Sequence, residues 1–251
     1  MIPKIIHYCW FGRNKKPDDV HYCIDTWKRH MPDYTLMEWN EDNFLIDEQC
    51  EYVKQAYEAK KWAFVSDYAR LEALYKYGGI YFDTDIEAFK SFDSFLDNHE
   101  VFGFESNDIV MTAVMMCEKG SGFIKEFMRF YEKNSFVRED GALKTDLTNV
   151  IILSDLLKKK GLKDNGKKQM VGQSLILPQS FFSPNDLRNI FGKYKKENYS
   201  YHHCEASWYR EKGNNGFARK CKKYLVISLR NIVGSDKVAN SSLRSIFGTK
   251  G

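Results

Sequence analysis

Gly78-Gly79-Ile80-Tyr81-Phe82-Asp83-Thr84-Asp85 packs a turn, a strand and two acids into one short stretch. Paired glycines permit a backbone turn that a Cβ would obstruct. Ile80, Tyr81 and Phe82 then read as a short buried strand. In an α/β sheet, ligands bind beyond the carboxyl ends of the strands. Asp83 and Asp85 at such an end make a hard-oxygen pair, suited to Mg²⁺ or Mn²⁺ shared with phosphates. On an arbitrary surface loop the same Asp-x-Asp reads as solvated charge. The apolar strand, the Gly-Gly turn and the patterned helix upstream select the ligand-binding reading.

That helix spans Lys61 to Tyr77, with Phe64, Tyr68, Leu71, Leu74 and Tyr75 at helical spacing and Gly78 as its stop. Asp67 and Arg70, three apart, share one face. Such a pair is commonly a surface salt bridge, but this helix feeds directly into the acidic strand end. Both groups can therefore converge on one ligand, Arg70 holding a hydroxyl or carboxylate with its planar fork and Asp67 accepting hydrogen bonds from hydroxyls. Around this unit the chain alternates. Strands are expected at Lys4–Trp10, Tyr34–Trp39, Val101–Phe104, Ile109–Met116 and Leu175–Leu177. Helices are expected at Asp18–His30, Asn43–Ala59, Gly122–Tyr131 and Thr148–Lys160. The alternation argues for an α/β sandwich. Trp10, ending the first strand, is placed either to stack on a planar base or to pack in the core.

A chain of 251 residues with 43% hydrophobic and 29% charged residues has enough length and apolar content for a full core. No stretch reaches the roughly 20 apolar residues of a membrane span, and no secretory leader is visible at Met1–His7. Six cysteines lie scattered without a Cys-x-x-Cys pair, as expected for thiols in a reducing cytoplasm. Charge is uneven. Residues 216–251 carry eight cations against the single acid Asp236, a balance of +7 that leaves −3 of the total +4 for residues 1–215. The expected organisation is a catalytic domain over 1–215 and a basic helical extension over 216–251. That extension either covers the core with a solvated face or lies on an anionic membrane surface. Nucleic-acid binding is not expected, because the candidate site is acidic and no recognition motif accompanies the basic tail.

Ser200-Tyr201-His202-His203 and, further on, Ser207-Trp208 supply further polar groups. Neutral histidine is a common metal ligand, and two aspartates rarely complete a coordination shell. Adjacent residues of a strand point to opposite faces, so at most one of His202 and His203 serves a given site. Trp208 can donate its indole N–H to a phosphate oxygen or simply pack. Asn107, Asp108, Thr148 and Asn149 are weaker sugar-contact candidates.

Taken together, Ile2-Pro3-Lys4-Ile5-Ile6-His7-Tyr8-Cys9-Trp10-Phe11-Gly12, Ser66-Asp67-Tyr68-Ala69-Arg70 and Gly78-to-Asp85 resemble glycosyltransferase family 32, the DXD-containing sugar-binding-region proteins. The central signature is similar to that of the large clostridial glucosylating toxins, where a Glu stands in the place of the histidine here. His202-His203 with Ser207-Trp208 is similar to the family's C-terminal metal and phosphate element. The resemblance covers about residues 1–210. It implies a GT-A fold, a Rossmann-like mixed sheet flanked by helices. It also implies a nucleotide-sugar donor (a UDP-sugar ahead of a GDP-sugar), a Mn²⁺ or Mg²⁺ ion, and retention of anomeric configuration. On that resemblance Trp10 stacks on the base, and Asp67 and Arg70 hold the transferred sugar. Asp83 contacts the ribose and the metal, Asp85 and either His203 or His202 bind the metal, and Ser207 and Trp208 reach the β-phosphate. The expected acceptor is a glycan or lipid-linked glycan of a bacterial capsule, O-antigen or similar surface polymer, with the enzyme cytoplasmic or peripheral on the inner membrane face.

Two alternatives remain. A haloacid-dehalogenase-type phosphotransferase also places Asp-x-Asp after a strand. It expects the motif near the domain start and Thr or Val two residues beyond the second Asp, where this chain has Glu87. A nucleotide-sugar-binding relic without turnover is the non-catalytic alternative.

Overall fold

The computed structural model describes residues 1–146, 148–184 and 195–203. The elements run β1 (Ile5–Cys9), α1 (Asp18–His30), β2 (Thr35–Trp39), α2 (Glu51–Glu58), α3 (Trp62–Tyr77), β3 (Gly79–Phe82), β4 (Ile86–Ala88), β5 (Glu100–Gly103), β6 (Val114–Cys117), α4 (Gly122–Glu132), α5 (Asn149–Lys159), β7 (Gln169–Val171), β8 (Ser174–Leu177) and β9 (Ser200–His202). Seven strands form one mixed sheet in the order β2-β1-β3-β6-β5-β8-β7, and β4 pairs with β9 in a separate two-stranded ribbon. The β1–β2, β1–β3 and β5–β8 pairs are parallel; β3–β6, β5–β6 and β7–β8 are antiparallel.

Alternation along β3 explains the two cores. Tyr81 points to the face covered by α2, α3, α4 and α5, with Phe64, Tyr68, Leu71, Phe127 and Leu153. Ile80 and Phe82 point to the other face, packing with Val20, Trp27, Phe92 and Phe182. That second face is covered by α1 and by the ribbon. Ser121 begins α4 as a side-chain N-cap, its hydroxyl accepting from the Ile124 N–H at 3.0 Å.

The turn between α3 and β3 requires glycine. Gly78 has φ +67°, and a Cβ there would stand 2.5 Å from the Lys119 backbone N; one on Gly79 would meet the Ile5 carbonyl at 2.7 Å. His7 on β1 pins this turn. Its Nε2 lies 2.8 Å from the Gly78 carbonyl, and its Nδ1 accepts from the Trp39 indole N–H at 3.1 Å. Those two contacts define a neutral Nε2–H imidazole. Burial lowers its pKa to about 4, against the opposing pull of the Gly78 carbonyl.

Two expected elements are shorter than their sequence patterns suggest. Asn43–Ala59 is not one helix but a 3₁₀ turn at Ile46–Glu48 followed by α2, with Cys50 extended between them. Asn40 and Asn43 divert the start, the Asn43 amide donating to the Glu38 carbonyl at 2.7 Å. Ile109–Met116 is likewise broken. Val110 makes an isolated bridge to Phe104, and β6 begins only at Val114. Between them the Thr112 carbonyl is taken by the Arg70 guanidinium at 3.0 Å, so it is spent outside the ladder. The expected basic extension over 216–251, and with it the domain boundary at 215, lies outside the described residues. No helix among the described residues is long and apolar enough to cross a membrane.

Candidate functional site

Helix α3 and strand β3 meet at Gly78-Gly79 and carry their polar groups to one place. Arg70 is 4% exposed and Asp67 8%, burial that charged groups tolerate only when paired and hydrogen-bonded. Every part of the Arg70 fork is used. Nη2 donates to Asp67 Oδ1 at 3.0 Å, Nη1 to the Thr112 carbonyl at 3.0 Å, and Nε to the Ser66 carbonyl at 3.1 Å. Nη1 also lies 3.2 Å from Asp83 Oδ1, and the guanidinium carbon sits 4.5 Å from the Tyr81 ring centroid. Burial works against the Arg70 charge, but Asp83, Tyr81 and Asp67 outweigh it and hold the guanidinium above its ordinary range.

The same Asp67 Oδ1 also accepts from the Asn149 amide at the start of α5. Burial pushes its carboxyl up to about 7; Asp83 adds to the rise, and Arg70 and Asn149 oppose it. Asp83 is held by the Tyr81 hydroxyl, which donates to Oδ1 at 2.8 Å. Tyr81 and Asp83 are two apart on an extended segment, so both lie on the α3 side. Cys9, at the end of β1, completes this wall. Its thiol is pushed up to about 12, chiefly by burial, which makes it a packing group.

Beyond Asp83 the backbone turns, with the Ile86 N–H donating to the Asp83 carbonyl at 3.0 Å, and enters β4. Strand β9 runs antiparallel beside it, with Ile86 opposite His202, Glu87 opposite Tyr201 and Ala88 opposite Ser200. This pairing puts His202 Nε2 3.3 Å from Asp85 Oδ1. His203 turns the other way, its Nε2 lying 3.0 Å from Glu87 Oε2. Asp83, Asp85 and His202 each offer a ligand atom, and those atoms lie within 4.8 Å of one another; it is the one such group of three among the described residues. Two carboxylates and an imidazole suit a divalent ion that accepts both oxygen and nitrogen, as Mn²⁺ does, better than Mg²⁺, which prefers oxygen ligands alone.

Asp67, Arg70, Asp83 and Asp85 are thus brought together, with His202 rather than His203 beside them. Trp10 stands half-buried at the end of β1. Its indole N–H donates to the Asn14 carbonyl at 2.6 Å, and the Lys16 ammonium lies 6.0 Å from its ring centroid. Ser207 and Trp208 lie outside the described residues. Asn107 and Asp108 belong to a separate loop, where the Asp108 carboxylate accepts from the Ser106 hydroxyl at 2.8 Å and the Asn107 carbonyl from the Gly166 N–H at 3.0 Å. Three participants escaped the sequence reading: the Tyr81 hydroxyl, the Thr112 carbonyl and Glu87. Tyr81 left a signal, one hydroxyl in an otherwise apolar strand two residues before an acid. The Thr112 carbonyl left none.

Residues 17–102 match the family model described as glycosyltransferase sugar-binding region containing DXD motif. The matched span contains Asp67, Arg70, Asp83 and Asp85 and ends before β9. No protein of curated function matches the sequence. Among solved structures, the PaToxG glycosyltransferase is similar at TM-score 0.50 and 19% identity, over 64% of this chain and 70% of that one. A galactosyltransferase, LgtC, solved with donor and acceptor sugar analogs, is similar at TM-score 0.46 and 11% identity, over 89% of this chain and 95% of that one. A glycosyltransferase involved in glycosylation of the major capsid of PBCV-1 aligns at TM-score 0.46 and 10% identity, over 80% and 94% of the two chains. The likeness to PaToxG is one of fold. The mixed sheet flanked by helices is the GT-A architecture expected of the sequence.

Proposed function

Starting from a chain that carries a DXD-containing glycosyltransferase sugar-binding region, we propose that it transfers a sugar with retention from a UDP-sugar to a glycan acceptor, using a divalent ion. The observation that supports this most is the convergence of Asp83, Asp85 and His202 within 4.8 Å of one another, beside the buried Asp67–Arg70 pair. In this reading Asp83, Asp85 and His202 hold Mn²⁺. When bound, that ion stabilises the departing nucleoside diphosphate as a Lewis acid.

The chain's own residues do the rest. Trp10 stacks on the base at the end of β1. Arg70, with three of its contacts fixed by protein oxygens, keeps Asp67 and Asp83 oriented for hydroxyls of the donor. Asp67 is tied to Arg70 and Asn149, and Asp83 to Arg70 and Tyr81. Both are therefore suited to binding, and neither to attack on carbon. Transfer then takes place on one face of the sugar. The bond from the anomeric carbon to phosphate breaks with its electron pair leaving on the diphosphate. The acceptor oxygen bonds to that carbon from the same side, and its proton passes to the departing phosphate.

The test is a thermal-shift panel of UDP-Glc, UDP-Gal, UDP-GlcNAc, UDP-GalNAc and GDP-Man, each with Mn²⁺ and with EDTA, followed by donor turnover. One UDP-sugar is expected to raise the melting temperature only with metal, an effect lost in Asp85→Ala together with at least about a hundredfold of turnover, the scale of losing one electrostatic contact in the transition state. Full turnover in Asp85→Ala overturns the metal assignment. A shift with GDP-Man alone overturns the donor base.

A further inference from the structure

Strands β4 and β9 are three residues each, too short to hold together by ladder bonds alone. Their register nonetheless decides which histidine meets the acids. Side chains alternate faces, so a one-residue slip exchanges the whole set. A slip of β9 along β4 would turn His202 away from Asp85 and bring a neighbour of opposite facing in its place.

One contact distinguishes His203 from His202. Glu87, 4% exposed, lies on the β4 face opposite Tyr201. It is bonded diagonally across the ribbon to His203 Nε2 at 3.0 Å, and from α1 the Tyr22 hydroxyl donates to its other oxygen at 2.7 Å. His203 is packed in place edge-to-face on Tyr201, with ring centroids 4.9 Å apart. The free edge of β4 is meanwhile covered by α1. There the Trp27 indole N–H donates to the Ile86 carbonyl at 2.7 Å, and the Thr26 hydroxyl accepts from the Ala88 N–H at 2.9 Å. These α1 contacts fix β4 but say nothing about β9. Backbone bonds join the two strands at both ends, Phe89 N–H to the Tyr199 carbonyl at 2.9 Å and His203 N–H to the Asp85 carbonyl at 3.1 Å, and the Ser200 hydroxyl donates to the Phe182 carbonyl at 3.0 Å. Glu87–His203 is the side-chain pair that joins them on the Glu87 face. A buried carboxylate that needs matching partners is an expensive way to fill space, but a selective way to choose register.

We infer that Glu87 is a positioning residue: by capturing His203 it locks β9 in the alignment that presents His202 to Asp85. The inference rests on the metal-binding reading of Asp83, Asp85 and His202 for its consequence, and on the ribbon alone for its mechanism.

The experiment is Mn²⁺ titration of the full chain by electron paramagnetic resonance, for the wild type, Asp85→Ala, Glu87→Leu, Glu87→Gln, His202→Ala and the Glu87→Leu/His202→Ala pair. Glu87→Leu is expected to raise Kd about 10- to 100-fold, the usual scale for a residue that orients a metal ligand. Glu87→Gln, which keeps a hydrogen-bonding side chain, should lie below about tenfold on the same scale. His202→Ala weakens binding in the wild type but adds less than about twofold on Glu87→Leu, because the imidazole is then no longer presented; such non-additivity is the mark of coupled sites. Additive losses, or a Glu87→Leu Kd within about twofold of wild type, overturn the inference. If Glu87→Leu does not fold, the same cycle on Glu87→Gln decides. A wild type that does not bind Mn²⁺, or binding that survives Asp85→Ala, overturns the metal reading instead. The register claim is then judged on amide hydrogen exchange across β4 and β9 in metal-free protein. Faster exchange in Glu87→Leu upholds it, and unchanged exchange sinks it.

Discussion

Asp83 and Asp85 are neighbours but one in sequence, yet they belong to differently built regions. Asp83 leaves the seven-stranded sheet and is gripped from behind by Arg70 and Tyr81, both buried. Asp85 leads into a two-stranded ribbon whose second strand arrives more than a hundred residues later, with His203 just beyond that strand bonded to Glu87 across a separation of 116 residues. The first region is encoded mainly by the local α3–β3 sequence and backed by a buried core. The second is assembled from distant pieces by a few specific contacts. Substitutions should therefore unfold the protein on the Asp83 side and disarm it on the Asp85 side.

The largest stability effect is expected from Arg70→Met. It leaves Asp67 and Asp83 buried without their cation and the Thr112 carbonyl without its donor, a loss of about 3–5 kcal/mol in urea unfolding. A loss below about 1 kcal/mol, the scale of an exposed pair, would break the contrast. Next comes the latch behind the Gly78 turn. His7 has a folded pKa of about 4 against 6.5 unfolded, so between those values the unfolded chain binds more protons. Stability is complete above pH 6.5 and drains as pH falls toward 4, by about 3 kcal/mol in all. His7→Gln should flatten that portion of the melting-temperature profile, and an unaltered profile would remove His7 from the account.

Smaller effects belong to the ribbon. Tyr22→Phe removes one hydrogen bond to the buried Glu87 carboxylate and should cost about 1.5–3 kcal/mol, with a weaker affinity for Mn²⁺. Asp85→Ala is expected to change unfolding free energy by no more than about 0.5 kcal/mol while abolishing metal binding. If it destabilised as much as Arg70→Met, the two regions would have to be treated as one structural unit.

The same contrast governs what the sequence reveals. Helix α3, the Gly78-Gly79 stop, β3 and the acids after it are all encoded within a stretch of twenty-odd residues, by periodicity and by glycine, and the structure places them as that pattern implies. Helix α1 is equally local, and its expected bounds coincide with the observed ones. Strand β4 is three residues long and exists because β9 lies beside it, so no local pattern announces it. The interruption before β6 arises because Arg70 claims the Thr112 carbonyl, a contact across 42 residues. Glu87 reads in the sequence as an ordinary acid after an Asp-x-Asp. Its importance depends on Tyr22 and His203, neither of which is near it in the chain. Adjacent histidines could be recognised as alternatives; that His202 rather than His203 has its ring nitrogen beside the Asp85 carboxylate depends on the register.

The order in which this chain is synthesised gives the ribbon a temporal meaning. At roughly 5–20 residues per second, Asp85 leaves the ribosome's catalytic centre on the order of ten seconds before His202 is added. During that interval the α3–β3 unit has its local partners, while the ribbon has only one strand. The growing chain thus lacks one of the three groups of the proposed metal site until His202 is added.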